Sequence, residues 1–597
     1  MLDLTRWKRK KKYHPEKQFE PRIKFLAALF LVFSLLIILK LFDFQVLKFD
    51  FYYALASDQH EIYQKLFPQR GSIYLKDQDL SALNNQDSLY PIAINKDYNL
   101  VYAQPKFMEA EPTEVSDLLT PILEPDPEKQ SALKDELIAK LSKKDDPYEP
   151  LMHKVEDSQV EMIKELNIKG LTSSKETFRF YPEKNIGADV LGFVGFDSNS
   201  QKRGLYGIEG YFDKELAGEQ GEIQSEKDIS GNLISISEKK FVRAKDGADI
   251  VLTLDKTIQF EVCSQLNEHA KIIEANSAAA VVMDPETGAI IAMCSYPDFD
   301  PNQYNQVDDI SAYNNRAIFE AYEPGSIFKP ITMAVGLDLG VITPETTYID
   351  DGFVKIDEFT IKNADLQAHG KMTMTQVLEK SLNTGAIFAV QQIGKKNFQK
   401  YLEKFGFGQK TGIQLDTEVA GNISSLNGKS EVYEDTASFG QGITVTPLQM
   451  VQAFSAIANG GKLVKPHIVD EIREFNGTVI KTNLPKPQQI ISSKAATLLT
   501  GMLVSVVKNG QAKDAAVPGY YVAGKTGTAQ IAEGGVYSNK TNHSFIGFAP
   551  IKDPKFVMIL KFENPKKGSF SSVTTAPLFG RLAKFILDYY HAMPDAL

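Results

Sequence analysis

The stretch EAYEPGSIFKPITMAVGLDLG, residues 320–340, sets a Pro-Gly turn directly ahead of an apolar run of helical character. Pro330 stands where the first helical turn would be, a position that tolerates a missing N–H, and Gly340 closes the run. At a spacing of three, Ser326 and Lys329 share one face at the N-terminus of that helix. A hydroxyl is a weak nucleophile until a base takes its proton, and a lysine is a base only when neutral. Burial, the positive end of a helix and a second cation all lower a lysine pKa. If Ser326 is a nucleophile, the fold must therefore bring a further lysine and polar groups to it. If it is an N-cap, nothing more is needed.

Spacing alone does not choose. Ser-x-x-Lys occurs four times, at Ser131, Ser237, Ser326 and Ser505, and the first two open charged, exposed stretches where a lysine keeps its proton. Ser-x-Asn occurs at Ser230, Ser381 and Ser425. Only Ser381-Leu382-Asn383 lies between two well-patterned helices, MTQVLEK and AIFAVQQIGKKNFQKYLEKFG, which would hold its loop rigidly. Lys-Thr-Gly occurs at Lys410 and Lys525, and the second, in YYVAGKTGTAQI, has the small and β-branched residues of a strand edge. Gly527 would let an extended peptide lie against that strand.

Working outward, SAAAVVMDPETGAIIAMCSYP reads as two apolar strands joined by a tight turn, and GADIVLTLD as a strand leading into the helix KTIQFEVCSQLNEHAKIIEAN. Helices alternate with a few strands from there on, which predicts helices around a sheet, an α/β or α+β domain. Ahead of it, LFPQRGSIYLKDQDLSAL reads as a turn into a short strand. EKQSALKDELIAKLSKK and DSQVEMIKELNIKG read as solvated amphipathic helices, the second ending at Gly170. We place a domain boundary near residue 250.

The N-terminus differs from the rest. Residues 1–24 hold nine Lys or Arg against three acidic residues, a net +6, so the remainder carries −16 of the chain's −10. FLAALFLVFSLLIILKLF, residues 25–42, is just long enough to cross a bilayer, with Lys40 able to snorkel. Ala54-Leu55-Ala56 resembles a cleavage site, but the charged, aromatic DFQVLKFDFYY before it makes a poor one, so we expect an uncleaved anchor. The basic tail then stays cytoplasmic and the bulk lies outside. The acidic exterior argues against a nucleic-acid partner. Cys263 and Cys294 sit in apolar contexts and are expected as two free buried thiols, a disulfide being the alternative. Neither they nor the eight scattered His have metal-ligand spacing, and no cofactor is expected.

The three motifs resemble those of the penicilloyl serine transferases, and the ordered blocks PQRGSIY, RFYP, GLYGIEGYFDKELAG, DIVLTLD, YEPGSIFKP, SLNTG, SFGQGITVTPLQ, AGKTGTAQ and HSFIGFAP resemble class B penicillin-binding proteins over nearly the whole chain. The resemblance implies an α+β protein: a cytoplasmic tail (1–24), one transmembrane helix (25–42), an elongated, mostly β/α pedestal (43–250) and a β-lactamase-like transpeptidase domain (251–597) with a central antiparallel sheet and helices on both faces. It implies that Ser326 attacks a D-Ala-D-Ala stem peptide and Lys329 takes its proton. Ser381 and Asn383 would relay protons and hold the peptide. Lys525 would supply electrostatics, and Thr526, Gly527 and Thr528 would bind substrate. Implied partners are peptidoglycan stem peptides, β-lactams as covalent inhibitors, the membrane, a polytopic membrane glycosyltransferase and other division or elongation proteins, at the inner membrane of a bacterium. The GIEGYFDKELAG block is more similar to division-type than to elongation-type members.

Three positions depart from the family pattern: Leu75 replaces an Asp, Asp189 a frequent His, and Ile327 the Thr after the nucleophile. None is a reacting group. The competing readings are an acyl-enzyme hydrolase (a carboxypeptidase or β-lactamase) and a non-catalytic sensor or wall-synthesis scaffold. A pedestal of about 200 residues disfavours the hydrolase, because small-molecule hydrolysis needs none. A basic tail of 24 residues is short for a signalling segment.

Overall fold

In the computed structural model, residues 20–43, 48, 61–77, 88–197, 201–226, 240–534 and 536–596 are described. The basic tail through residue 19, Ala54-Leu55-Ala56, Ser230 and Ser237 lie outside the described residues. Two compact units result, one of residues 1–68 with 219–245, the other of residues 69–218 with 246–597.

The first unit holds the helix Glu20–Phe42. Its residues Lys24–Phe42 have a mean hydropathy of 2.8 and are not buried against protein. Nineteen residues at about 1.5 Å each approach the roughly 30 Å of a hydrocarbon core, so length and composition both suit a bilayer span. Glu61–Leu66, Gly221–Glu226 and Lys240–Val242 form a three-stranded antiparallel sheet in the same unit.

In the second unit the central feature is a five-stranded antiparallel sheet of Ser277–Met283 (β1), Ile290–Tyr296 (β2), Ala523–Glu533 (β3), Val536–Ala549 (β4) and Phe556–Glu563 (β5), in the order β2-β1-β5-β4-β3. Every residue of β1 is buried, as the apolar run of residues 278–283 requires of a strand covered on both faces. In the turn to β2, Asp284 Oδ1 accepts the N–H groups of Glu286 (2.7 Å) and Thr287 (3.1 Å). Helices Lys256–Ile272 (α1) and Ala576–Tyr589 (α7) pack together against β2 and β4. Lys329–Asp338 (α2), Pro447–Ala458 (α5) and Ser493–Asn509 (α6) form a second layer, with α5 on β1 and β5 and α6 on β3. The fold is α+β, as expected.

A second, seven-stranded sheet joins segments far apart in sequence. Asp249–Asp255 pairs in parallel with Ile73–Asp77 on one side and antiparallel with Val469–Arg473 on the other. Ile73–Asp77 continues through Ser88–Ala103 to Glu149–Val155 and Leu171–Phe180.

The structure corrects the expectation of free thiols. Cys263 on α1 and Cys294 on β2 form a disulfide, with Cα atoms 5.5 Å apart. Gln259, one turn before Cys263, accepts from Met293 N (2.9 Å) and donates to Met293 O (2.8 Å), so the helix docks with Cys263 over Cys294. An apolar context was a poor guide, because a bridge inside the core is as buried as two thiols. Two helices also end earlier than read. The run after Ser381 breaks at Gly394 (φ +76°) into Asn383–Ile393 (α4) and Lys395–Lys404, and the helix expected to reach Gly170 is Asp157–Glu165. Of the departures, Leu75 is a core residue, and Asp189 is buried, accepts a hydrogen bond from Ser295 (2.7 Å) and is pushed up to about 7 by its burial.

Candidate active site

Tyr322 exchanges two backbone hydrogen bonds with Val445 (3.0 and 2.9 Å), and Gly325 N donates to Gly440 O (3.0 Å), which anchors the turn before Ser326 to the SFGQGI loop. Gly325 has φ +58°, and a Cβ there would come 2.7 Å from Ala529 Cβ on β3. The chain then forms a 3-10 turn, Gly325–Phe328, that runs into α2. Lys329 lies one turn beyond Ser326 and is fully buried.

Lys329 Nζ is 3.0 Å from Ser326 Oγ, 3.3 Å from Ser381 Oγ and 2.5 Å from Ser381 O. Lys525, projecting from β3, puts its Nζ 3.0 Å from the same Ser381 Oγ and donates to Thr526 O (3.0 Å). Both lysines are 0% exposed. Burial, and next the nearby Lys525, hold Lys329 well below the ordinary lysine range, against an opposing pull from Asp365. Burial brings Lys525 down to about 7. Two desolvated amines sharing one serine hydroxyl make a chain along which a proton can travel from Ser326 Oγ through Lys329 to Ser381.

Ser381 caps the helix Met374–Lys380 (α3) in the left-handed region, φ 60°, ψ 41°. Asn383 begins α4, and its Nδ2 donates to Lys362 O (2.9 Å). The structure thus brings Ser326, Lys329, Ser381 and Lys525 into contact, with Asn383 two residues along the same loop. Strand β3 is the edge of its sheet, so among the described strands none pairs with its outer side, the side on which an extended ligand would add. Thr526 is buried, while Thr528 Oγ1 engages Ser571, accepting from its N–H and lying 3.1 Å from its Oγ. The need for glycine at 527 is internal: a Cβ there would meet Ser544 Oγ at 2.7 Å, Ile327 Cγ2 at 2.9 Å and Pro324 O at 3.2 Å. Gly527 and the buried Ile327 therefore fit each other, which seats the Ser326 turn against β3.

The decoys resolve as structure. Lys134 ion-pairs with Asp117 on the surface, and Ser505 donates to Glu379 (2.5 Å). In the other Lys-Thr-Gly, Glu418 clasps Thr411 and Gly412, accepting at 2.7, 2.6 and 3.0 Å. Sequence reasoning missed Asn363, Asp350 and Thr384, which lie against the Ser381 loop. Asn363 and Asp350 are in a stretch of short strands without a motif, and no sequence signal brings them to the site.

Residues 278–584 match the penicillin-binding protein transpeptidase domain, and residues 65–252 the penicillin-binding protein dimerisation domain. The chain belongs to the penicillin-binding protein transpeptidases. A dimerisation domain followed by a transpeptidase domain is the class B arrangement. Stage V sporulation protein D of Bacillus subtilis is 35% identical over 83% of this chain and 76% of its own length. Peptidoglycan D,D-transpeptidase FtsI of Escherichia coli is 29% identical over 75% of this chain and 73% of its own. Among solved structures, penicillin-binding protein 3 of Mycobacterium tuberculosis, complexed with aztreonam, is 26% identical and covers 89% of this penicillin-binding protein and 99% of that chain, with a TM-score of 0.66.

Proposed function

We propose that this transpeptidase cross-links peptidoglycan stem peptides through an acyl-enzyme on Ser326. The observation that carries the reading is the buried amine of Lys329, 3.0 Å from Ser326 Oγ with its basicity depressed. Neutral Lys329 takes the Ser326 proton as Oγ attacks the carbonyl of the penultimate D-Ala. The N–H groups of Ser326 and Thr528 hold the developing oxyanion, donors typically worth about 3–4 kcal/mol each. The proton passes along Ser381 Oγ, between the two lysines, to the departing D-Ala nitrogen, and the C–N bond breaks. An amine of a neighbouring stem then attacks the ester, gives up its proton along the same path and regenerates Ser326. Asn383, Thr526, Gly527 and Thr528 line the path of a peptide extended along the open edge of β3, and Lys525 keeps the site electropositive for the peptide carboxylate.

The same reading extends to the whole chain. Residues 1–24 are a cytoplasmic tail, 25–42 the anchor in the bacterial inner membrane, 43–250 an extracytoplasmic pedestal and 251–597 the transpeptidase domain. The apolar helix and the basic sequence before it support the anchor and its orientation. A polytopic membrane glycosyltransferase supplies the glycan polymer, β-lactams acylate Ser326, and the GIEGYFDKELAG block supports work at the division septum.

Full-length protein in detergent is treated with benzylpenicillin and followed by intact mass, with Ser326→Ala as control. The expected result is one long-lived adduct on Ser326, absent from the variant. Rapid loss of the adduct with consumption of the antibiotic would make the protein a hydrolase. No adduct on folded protein would make it a scaffold.

A further inference from the structure

Helix α4 begins at Asn383 with a defect. Its N-cap, Leu382, has no side chain able to take the free N–H groups of the first turn, and no side-chain cap bond is made there. Those N–H groups are answered from a distant segment. Asn363, 1% exposed, accepts from Asn383 N (2.9 Å) and Thr384 N (3.3 Å) through its Oδ1. Its amide can present oxygen to the helix in only one orientation, because its Nδ2 donates to both oxygens of Asp350 (2.9 and 3.0 Å). Asp350, also 1% exposed, is itself fixed by Gly352 N (3.0 Å), Thr384 Oγ1 (2.8 Å), and the backbone N–H (3.2 Å) and ring Nδ1 (2.8 Å) of His369.

We infer that Asn363, oriented by Asp350, is the positioning residue of the Ser381–Asn383 loop, a helix cap supplied from another element. The loop needs one. Ser381 holds left-handed backbone at φ 60°, a conformation that costs a non-glycine residue energy and persists only where its surroundings enforce it. Its Oγ is what Lys329 and Lys525 share, so freedom in the loop separates the two lysines from their common hydroxyl. Asn363 touches neither lysine nor the nucleophile. It acts through the loop.

The inference rests on Ser326 being acylated, and the test separates the two. Acylation of the full-length protein by benzylpenicillin is measured against antibiotic concentration, giving a binding constant and a limiting acylation rate, with melting temperature as a check on folding. Asn363→Ala is expected to lower the limiting rate about ten-fold or more, the effect of losing a cap at a site of reaction, while the binding constant stays within about two-fold. Asn363→Asp faces Asp350 with a second carboxylate and is expected to be as slow. Asp350→Asn removes the carboxylate that fixes the Asn363 amide and that Gly352 N, Thr384 Oγ1 and His369 N donate to, and is expected to show the same fall in limiting rate with the binding constant held. A parent-like limiting rate in Asn363→Ala, or an equal loss in rate and binding, overturns the inference. A parent protein that takes no adduct on Ser326 would sink the transpeptidase reading, and this one with it.

Discussion

Lys329 and Lys525 are two fully buried amines around one serine hydroxyl, and burial is the first cause of the lowered basicity of each. In the proposed mechanism acylation needs Lys329 neutral, so its rate should fall as pH drops through the Lys329 pKa. We expect that acid limb well below the ordinary lysine range, because burial and next the neighbouring Lys525 disfavour the charged amine. Lys525→Met removes the neighbouring amine that disfavours protonation of Lys329, so the midpoint should move to higher pH in a pH profile of benzylpenicillin acylation. The sign for stability follows. A lysine whose folded pKa is lowered binds its proton more weakly in the native state than in the unfolded chain. Its contribution therefore strengthens with rising pH between the folded and unfolded values and is lost as pH falls. For Lys525 that window runs from about 7 upward. Serine and lysine at spacing three were legible in the sequence, but four such pairs occur, and only burial distinguishes a base from a solvated ammonium.

At the scale of elements, the site is a junction of a helix start, a helix end and a sheet edge. Gly325 shows how little space the junction leaves, since it combines left-handed backbone with a Cβ position 2.7 Å from Ala529 Cβ. Gly325→Ala adds the left-handed penalty to overpacking against a strand, together about 2–4 kcal/mol. We expect acylation at least ten-fold slower and a lower melting temperature, measured on the same preparation. The turn at Pro324-Gly325, the edge strand around Lys525 and the β1–β2 turn were readable because turn chemistry and strand patterning are local. The break at Gly394 and the cap on α4 were not. A glycine inside a helical pattern can continue the helix or, as Gly394 does at φ +76°, end it in left-handed backbone, and Asn363 caps a helix twenty residues away.

At the scale of the whole molecule, three sequence blocks meet at one carboxylate. Glu209, of the GIEGYFDKELAG block and 0% exposed, is held by Arg70 of PQRGSIY (2.6 Å) and Arg179 of RFYP (2.6 Å). Burial alone would raise the Glu209 pKa, but the two guanidinium groups outweigh it and hold it below the usual carboxylate range. Its stabilising effect is thus present at neutral pH and is lost as pH falls through the folded pKa. Glu209→Ala leaves two guanidinium groups without their shared partner in the interior, a change of about 3–5 kcal/mol, to be checked by urea unfolding. Each block was visible in the sequence as a motif. Their convergence was not, because Arg70 and Glu209 are 139 residues apart.

By itself the sequence determined the apolar N-terminal helix, the turns and strands around Ser326, and which residue types stand ready for acyl transfer, since all of these depend on neighbours within a few positions. The tertiary structure decided that the two lysines singled out in the sequence are desolvated around one serine hydroxyl, that the two cysteines are joined, and that a distant carboxamide caps the Ser381 loop. Those outcomes turn on desolvation and on contacts between segments far apart in the chain, and such quantities exist only once it has folded.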